Sequence, residues 1–335
     1  MKIAFFGLER DKQEALAEAF PGAETMFFEE KLGYDTVAKV KDANILSVFV
    51  SDLVDKKIIN ALPDLKFIAT RSTGYNHIDV AYAKEKGIPV AYVPGYGSYT
   101  VAEFAFGLIL NLSRKITLAN HTIKNSLDFN YNNSMEGFDL RGKTLGVIGT
   151  GKIGRNVIKI AKGFSMNVLA CDLHPDQAFA RENNFEYKSL AEIIAGSDII
   201  TLHVPYTKEN HHLIGKPEIL KMKKGVYIIN TARGELIDTD ALIYGLREEI
   251  IAGVGLDVLE GERELKEEIE ILAHGGTAHA ESYKTILEDR ALMEMDNVII
   301  TPHIAFYSHE AVAEILKTTI ENIRGFLDGS PVNLV

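Results

Sequence analysis

The sequence is poor in cysteine and contains no long apolar run. Cys171 is the one cysteine among 335 residues, so no disulfide forms within the chain and nothing indicates an oxidising compartment. No uninterrupted apolar stretch reaches the roughly 18 residues that a membrane-spanning helix requires. The opening "MKIAFFGLERDKQEA" has no signal-peptide cleavage site and is typical of a first strand and helix. We therefore expect a cytoplasmic protein.

Basic residues are also in the minority. Lysine and arginine number 36 against 47 acidic residues, which gives a formal net charge of -11. No stripe of Lys and Arg interrupts this balance, and such a charge repels nucleic-acid phosphates and anionic membranes. We therefore expect neither nucleic acid nor a membrane as a partner.

The length and the pattern of apolar runs predict two α/β domains. At about 150 residues per domain, 335 residues exceed what one hydrophobic core usually supports. Short apolar runs alternate with amphipathic stretches, which indicates parallel strands with helices on both faces of the sheet. The strands predicted in the first half are "KIAFF", "NILSVFV", "LKFIAT" and "IPVAYV".

A second alternation follows a long helical pattern. The stretch "TVAEFAFGLILNLSRKITLANHTIKN", from Thr100, predicts one buried helix that connects the two domains. Ser189 and Glu192 have the spacing of a capping box at a later helix. Strands are predicted at "TLGVIG", "NVLACD", "DIITLH", "GVYIIN", "IAGVGLDV" and "NVIIT". We predict a second doubly wound domain over residues 101–300, inserted into a first domain of residues 1–100 plus 301–335, on which the C-terminal helix packs.

Three glycines lie between the strand "TLGVI" and the helix "KIGRNVIKIAKGF". In a dinucleotide-binding turn the first glycine allows the tight turn, the second lets the pyrophosphate approach the backbone, and the third allows close helix packing. Gly149, Gly151 and Gly154 have this spacing, and the free N–H groups of the helix start would bind the anion. The motif alone is weak evidence because other tight turns use glycine, but the flanking strand and helix strengthen it.

An acidic residue follows at the distance expected for ribose binding. Asp172 lies 18 residues beyond Gly154, at the end of the next predicted strand, close to the roughly 20 residues typical of the acid that binds the ribose hydroxyls. Such an acid repels a 2'-phosphate, so we predict NAD rather than NADP. His174 is nearby and softens this preference.

Three polar stretches in the second half are candidates for the chemistry. They are "INTARGELID" around Arg233, "GLDVLEGE" ending in Glu262, and "ITPHIAF" around His303. Each residue also has an ordinary interpretation: a surface ion pair for Arg233, a solvated acidic run for Glu262 and a helix start for His303. Two of the stretches directly follow predicted strands, where open α/β sheets bind ligands.

With the glycine turn, "LHVPYTKENHHLI" and "MKKGVYIINTARGELIDTDAL", these stretches resemble, in order, the motifs of the D-isomer-specific 2-hydroxyacid dehydrogenase family. The resemblance covers nearly the whole chain. It implies a Rossmann coenzyme domain inserted into a flavodoxin-like substrate domain, an active site in the cleft and a homodimer through the coenzyme domain.

The resemblance also implies roles for individual residues. Arg233 would bind the substrate, Glu262 would pair with the histidine, and His303 would be the acid/base. In "TRSTGYNHID" the backbone amides of Thr73 and Gly74 would bind the substrate carboxylate, and Tyr96 would lie near the pocket. The predicted cofactor-binding residues are Gly149, Thr150, Gly151, Lys152, Ile153, Gly154, Asp172, His203, Val204, Pro205, Thr231, Ala232 and Asp257, the last of which we also interpret as structuring the site.

These residue types suit the reduction of a 2-oxo acid independently of the resemblance. Histidine exchanges protons near neutral pH, and a neighbouring carboxylate favours its charged form and fixes its tautomer. The planar guanidinium of arginine holds a carboxylate better than a lysine does.

The stretch "TPHIAFYS" resembles the branch of the family that acts on lactate, and it would place Phe306 and Tyr307 beside the substrate. We therefore expect reduction of pyruvate to D-lactate, with hydroxyisocaproate, glycerate or hydroxypyruvate, glyoxylate and phosphoglycerate as alternatives. Two departures stand out. Gly97 and Ser98 replace the Ser-Pro usual after the tyrosine, and the acidic segment 263–296, with a helical pattern, is longer than the usual connection. We expect this segment to cover either the cleft or a partner subunit.

A rival from another class is a scaffold that senses NAD(H), like the corepressors that share the fold. The complete set of Arg233, Glu262 and His303 argues for turnover instead. Phosphoglycerate enzymes commonly carry a C-terminal regulatory domain, which we do not expect here because the chain ends 32 residues after His303.

We predict no metal site. His211 and His212 are adjacent, so in regular structure their side chains would diverge, and His274 and His279 lie in a glycine-rich stretch. Cys171 is expected at a strand end beside the adenosine site, without a catalytic role.

Overall fold

The computed structural model describes residues 1–127, 129–262 and 280–335. These form two compact units, one of Met1–Gly97 with Tyr307–Val335 and the other of Ser98–Phe306. The divisions lie within six residues of those predicted at 100 and 300, and residues 301–306 belong to the second unit. His274, His279 and the first part of the 263–296 segment lie outside the described residues.

In the described ranges, twelve strands and twelve α-helices organise the two units. The strands are β1 (Lys2–Phe5), β2 (Glu24–Phe27), β3 (Ile45–Val48), β4 (Phe67–Thr70), β5 (Val90–Ala91), β6 (Thr144–Ile148), β7 (Asn167–Cys171), β8 (Glu186–Tyr187), β9 (Ile199–Leu202), β10 (Val226–Asn230), β11 (Ile251–Leu256) and β12 (Val298–Ile300). The α-helices in the described part of the chain are α1 (Arg10–Ala19), α2 (Lys56–Asn60), α3 (Val80–Glu85), α4 (Ser98–Arg114), α5 (Ile116–Ser126), α6 (Lys152–Gly163), α7 (Gln177–Glu182), α8 (Leu190–Gly196), α9 (Lys216–Ile219), α10 (Thr239–Arg247), α11 (Ala280–Met293) and α12 (His309–Leu327).

The first unit is built on a five-stranded sheet in the order β2-β1-β3-β4-β5. Its paired strands are all parallel, and the order is that of a flavodoxin-like doubly wound fold. The sequence pattern missed β2, a half-buried strand that lies beside β1 at the edge of the described sheet. The C-terminal helix α12 packs on this sheet as predicted, since the rings of Phe326 and Phe67 stack with centroids 4.4 Å apart.

The second unit is built on a seven-stranded parallel sheet in the order β12-β11-β10-β9-β6-β7-β8. From β6 the chain builds the sheet first in one direction, through β7 and β8, and then in the other, from β9 to β12. This is the strand order of a Rossmann fold with one strand added. The fold class predicted from the sequence is therefore confirmed. The capping box is also confirmed, because Ser189 and Glu192 hydrogen-bond each other's backbone N–H groups at the start of α8.

The single long helix predicted from Thr100 is wrong, because the chain forms two helices there. Lys115, with φ 54°, breaks the pattern between α4 and α5. The side chain of Asn111 accepts a hydrogen bond from Thr117 N at 2.8 Å and donates to Thr117 Oγ1 at 2.6 Å, which holds the new helix start in place. Among the described residues, no helix is both long enough and apolar enough to cross a membrane.

Candidate active site

The glycine turn follows β6 and leads into α6, as predicted. Gly149 has φ +95°, and a Cβ there would lie 2.7 Å from the carbonyl oxygen of His203. A Cβ at Gly154 would lie 2.0 Å from the carbonyl oxygen of Gly149. At Gly151, by contrast, a Cβ would meet no described atom within 4 Å. Packing therefore requires the first and third glycines, whereas the second borders open space where a pyrophosphate would fit.

The N-terminus of α6 is suited to bind an anion. Gly151 is its N-cap, and no side chain in the described part of the chain caps it. Lys152, which is exposed, and Ile153, which is half-buried, form its first turn with Gly154. The N–H groups of a first helical turn lack partners within the helix, and with the helix dipole they attract a phosphate.

Asp172 lies at the end of β7 and is tied to the glycine turn. One carboxylate oxygen accepts hydrogen bonds from Thr150 N at 2.6 Å and Thr150 Oγ1 at 3.0 Å, and the other accepts from His174 N at 2.8 Å. Burial alone would raise the pKa of Asp172, but these hydrogen bonds outweigh it and lower the pKa. The group is thus an ionised carboxylate whose second oxygen has capacity to accept from ribose hydroxyls.

Buried polar atoms without partners lie at the carboxyl ends of β9 and β10. They are His203 Nδ1 and Thr231 Oγ1, neither of which has a hydrogen-bond partner among the described residues. Burial lowers the pKa of His203 to about 3, so its ring is neutral at physiological pH. Buried polar atoms normally find partners, and a bound dinucleotide would provide them. Val204, Pro205 and Ala232, which were also predicted to contact the cofactor, belong to the same two loops.

Arg233 is presented by a loop that a buried asparagine holds. Asn230, the last residue of β10, is 1% exposed. Its side-chain amide donates to Arg233 O at 2.8 Å and its side-chain oxygen accepts from Ala232 N at 3.0 Å. The guanidinium of Arg233 is half-buried and donates to Ala232 O at 2.6 Å. Asn230 is a positioning residue that the sequence analysis missed, although "INTARGELID" contains it.

Gly234, the residue after Arg233, brings this loop against the segment that leads to Glu262. A Cβ at Gly234 would lie 2.0 Å from the carbonyl carbon of Leu259 and 2.3 Å from Glu260 N. Only glycine allows the two backbones to approach this closely. The loop of Arg233 and the segment of Glu262 are therefore in direct contact.

Glu262 and His303 form the pair expected of an acid/base and its partner. His303 Nδ1 lies 3.2 Å from Oε1 and 3.1 Å from Oε2 of Glu262. Their side chains are 30% and 28% exposed, so the pair is sheltered yet reaches solvent. His303 has φ +57°, a left-handed backbone that a non-glycine residue adopts at a cost.

Asp257 holds this strained loop in place. Its carboxylate accepts hydrogen bonds from Thr301 Oγ1 at 2.5 Å, Ile304 N at 2.9 Å and Ala305 N at 2.8 Å. Burial raises the pKa of Asp257, although these donors oppose the effect. Every one of these contacts is to the loop that carries His303, which supports a structuring role for Asp257.

Thr73 and Gly74 lie in the other unit, in the loop after β4. Their backbone N–H groups donate to no acceptor within the described ranges, as expected of a cradle for an anion. Thr73 Oγ1 donates to Val93 O at 2.8 Å, and Gly74 O accepts from Ser72 Oγ at 2.6 Å, which fixes the loop.

A buried arginine underlies this loop and was missed by the sequence analysis. Arg71 is 3% exposed and donates to Ser47 Oγ at 2.9 Å and to the carbonyl oxygen of Phe6. Burial lowers the pKa of Arg71 to about 10, so it remains a cation at neutral pH.

The aromatic residues predicted near the substrate are divided between the units. Phe306, half-buried, belongs to the second unit, whereas Tyr96, half-buried, and Tyr307, 52% exposed, belong to the first. The Tyr307 hydroxyl lies 3.2 Å from Lys12 Nζ and 3.2 Å from Glu9 Oε2.

The adjacent histidines do not diverge, contrary to the sequence-based expectation. The rings of His211 and His212 stack with centroids 3.8 Å apart and an interplanar angle of 24°. The reason is the backbone, because His212 has φ +53° and the chain there is not regular structure.

Cys171, half-buried at the end of β7, has its pKa raised to about 11, mainly by burial.

The chain is similar to one protein family and to several known proteins. Residues 106–305 match the family described as D-isomer specific 2-hydroxyacid dehydrogenase, NAD binding domain. An aromatic 2-oxoacid reductase of Clostridium sporogenes is 42% identical over 287 residues, which cover 84% of this chain and 82% of the relative. The D-lactate dehydrogenase of Escherichia coli is 37% identical over 337 residues, which cover 98% of each chain. A crystal structure of D-lactate dehydrogenase from Aquifex aeolicus, complexed with NAD and lactic acid, is similar with a TM-score of 0.86 at 36% identity, over 98% of this chain and 96% of that one.

Proposed function

The chain belongs to the D-isomer specific 2-hydroxyacid dehydrogenase family, whose members are NAD-dependent oxidoreductases, and on that premise we propose that it interconverts pyruvate and D-lactate. The similarity to a D-lactate dehydrogenase along 98% of both chains supports this substrate. The family resemblance also assigns Phe306 and Tyr307, three and four residues after the predicted acid/base, to the substrate pocket, where their bulk would suit a small apolar substituent.

The pairing of His303 with Glu262 is the observation that carries the proposal. With Nδ1 held 3.1 Å from the Glu262 carboxylate, the ring presents Nε2 to a substrate. The carboxylate fixes the orientation of the ring, and His303 donates a proton to the carbonyl oxygen during reduction and accepts it back from the hydroxyl during oxidation.

The family resemblance assigns carboxylate binding to a group in each unit. In the second unit, Arg233 would bind the carboxylate through its planar fork and draw electron density from the adjacent carbonyl. In the first unit, the backbone amides of Thr73 and Gly74 are assigned to the carboxylate oxygens. Bound NADH supplies the hydride that reaches the carbonyl carbon. The reaction balances as one hydride and one proton added to the 2-oxo acid.

Reduction of aromatic 2-oxo acids is a second candidate. The Clostridium sporogenes relative named for that activity is 42% identical to this chain. Gly95 and Gly97, with φ +79° and +69°, flank Tyr96 and allow its loop conformations that side chains disfavour. A looser loop would admit a larger substituent than the methyl group of pyruvate.

The test is the initial rate of NADH oxidation with pyruvate, phenylpyruvate, hydroxypyruvate and glyoxylate, followed by chiral analysis of the product. We expect the highest kcat/KM with pyruvate and a D product. A higher kcat/KM with phenylpyruvate would move the assignment to the aromatic candidate. Tight NADH binding without turnover of any 2-oxo acid would favour the sensing scaffold instead.

Two further statements remain predictions. The family resemblance predicts a homodimer, and sedimentation of the purified protein measures it. The composition predicts a cytoplasmic location, which fractionation of cells measures.

A further inference from the structure

Three potential metal ligands meet outside the site described above. They are His211, His212 and Glu260, whose ligand atoms all lie within 4.8 Å of one another. The left-handed backbone of His212 brings the two rings together, with centroids 3.8 Å apart. Glu260 Oε1 lies 2.6 Å from His212 Nε2. The cluster therefore joins the loop after β9 to the segment after β11.

We propose that His211, His212 and Glu260 form a binding site for a divalent transition-metal ion of the zinc class. Two imidazole nitrogens and one carboxylate oxygen are a ligand set that Zn²⁺ prefers, and three protein ligands leave a position for water. His211 is exposed and the other two are half-buried, so the ion reaches the site from solvent.

The distances require only local rearrangement. Bonds of about 2.0 to 2.2 Å in tetrahedral geometry place ligand atoms about 3.4 Å apart. The pair at 2.6 Å must open by less than an ångström, and the widest separation, at most 4.8 Å, must close by no more than about 1.4 Å. Rotation of the exposed His211 side chain covers such a distance.

The alternative is a purely structural role for the cluster. Glu260 Oε2 accepts from Thr239 Oγ1 at 2.8 Å, and His212 Nδ1 lies 3.9 Å from Asp238 Oδ2, so both residues also tie the loops to the start of α10. This role needs His212 and Glu260 but not the exposed His211. A variant of His211 therefore separates the two interpretations.

A metal ion bound at this site would also affect the loops that carry Arg233 and Glu262. This consequence rests on the catalytic roles proposed for those two residues. His212 N donates to Glu235 O at 2.9 Å, two residues from Arg233. Glu260 is two residues before Glu262, and its segment contacts Gly234 directly. A metal that replaces the hydrogen bond between His212 and Glu260 changes the contact that joins these two loops, so we expect it to inhibit turnover.

Calorimetric titration of the tag-free full chain with zinc chloride tests the site. We expect one saturable ion per chain, with affinity at least about tenfold weaker in His211→Ala and in Glu260→Gln. His121→Ala is the matched control, because His121 is exposed on α5 and outside the cluster, and it should bind like the parent chain. Absence of saturable binding, or equal affinity in His211→Ala, would overturn the proposal.

Inhibition by zinc of NADH oxidation tests the consequence. We expect the parent enzyme to lose activity at the zinc concentration that half-fills the site, and His211→Ala to keep its activity there. Equal inhibition of both would show that the ion acts elsewhere, such as on the pair of His303 and Glu262, and would overturn the coupling. If no 2-oxo acid is reduced while zinc binding still depends on His211, the proposed function fails and the metal site stands.

Discussion

His303 Nδ1 lies 3.1 Å from Oε2 of Glu262, a residue 41 positions earlier in the chain. The contact selects one ring nitrogen for the carboxylate and so leaves the other for a reacting oxygen. Asp257 holds the loop of His303 by accepting hydrogen bonds from Thr301, Ile304 and Ala305. The acid/base candidate is therefore positioned on two sides before any substrate binds.

Replacing His303 with alanine should remove most of the turnover. A positioned general acid contributes about a hundredfold to ten-thousandfold, so kcat should fall within that range while the Kd for NADH changes less than about twofold. Stopped-flow turnover and fluorescence titration with NADH measure the two quantities. His309→Ala, in the same stretch of chain but exposed at the start of α12, is the control. An unchanged kcat would remove His303 from the mechanism.

Replacing Arg233 should affect substrate binding and chemistry together. Arg233→Ala loses the fork that holds the carboxylate and polarises the carbonyl, so KM should rise and kcat should fall. Arg233→Lys keeps the charge without the planar geometry and should recover only part of the loss. Steady-state kinetics with pyruvate give both constants. A rise in KM with kcat unchanged would limit Arg233 to binding.

The second and third glycines of the turn should respond differently to alanine. In Gly154→Ala the Cβ would lie 2.0 Å from Gly149 O, so the protein should be destabilised by several kcal/mol. Gly151→Ala has room for its Cβ and a backbone φ of -66°, so its stability should change by less than about 1 kcal/mol while NADH binding weakens. Thermal unfolding and NADH titration compare the pair. Normal NADH affinity in Gly151→Ala would contradict pyrophosphate binding there.

Replacing Asp172 should change the preference between coenzymes. Asp172→Asn keeps an oxygen for the N–H of Thr150 but removes the charge that repels a 2'-phosphate. We expect the Kd for NADH to rise and the Kd for NADPH to rise less or fall. Parallel fluorescence titrations measure the ratio. Equal changes for both coenzymes would show that Asp172 does not discriminate between them.

His77 should make the stability of the first unit depend on pH. Burial, assisted by the charge of Arg71, lowers the pKa of His77 to about 4. The unfolded chain, with a pKa near 6.5, binds the proton first, so the contribution is complete above about pH 6.5 and is lost as the pH falls from 6.5 towards 4. The full loss is about 3 kcal/mol at most.

Urea unfolding between pH 4 and 7 measures this dependence. His77→Gln keeps a polar group within reach of Thr70 Oγ1, which lies 3.2 Å from the histidine ring, but does not titrate, so its stability should fall less steeply over that range. His121→Gln, at an exposed position, should follow the parent protein. Parallel curves for His77→Gln and the parent would show that another group causes the pH dependence.

The parts of the fold that were predicted correctly depend on neighbours in the chain. Apolar periodicity located the buried strands of both sheets, and the spacing of Ser189 and Glu192 located a helix start. The half-buried edge strand β2 was missed because its residues show no buried apolar run, and two other errors arose where a single residue departs from regular backbone. Lys115 divides a helix whose apolar pattern is continuous, and His212 brings together two rings that regular structure would separate.

The sequence by itself determined the two doubly wound sheets, the glycine turn and the polar residues at strand ends, because periodicity, turn chemistry and strand length act over a few residues. The family resemblance implied that Glu262 pairs with His303, but no local pattern predicted it, and the tertiary structure decided which of those residues meet. The contacts of Glu262 with His303, of Gly234 with Leu259 and of Glu260 with His212 join segments that are far apart in the chain. Such contacts depend on how strands and loops pack, and no local pattern encodes the distance between two side chains.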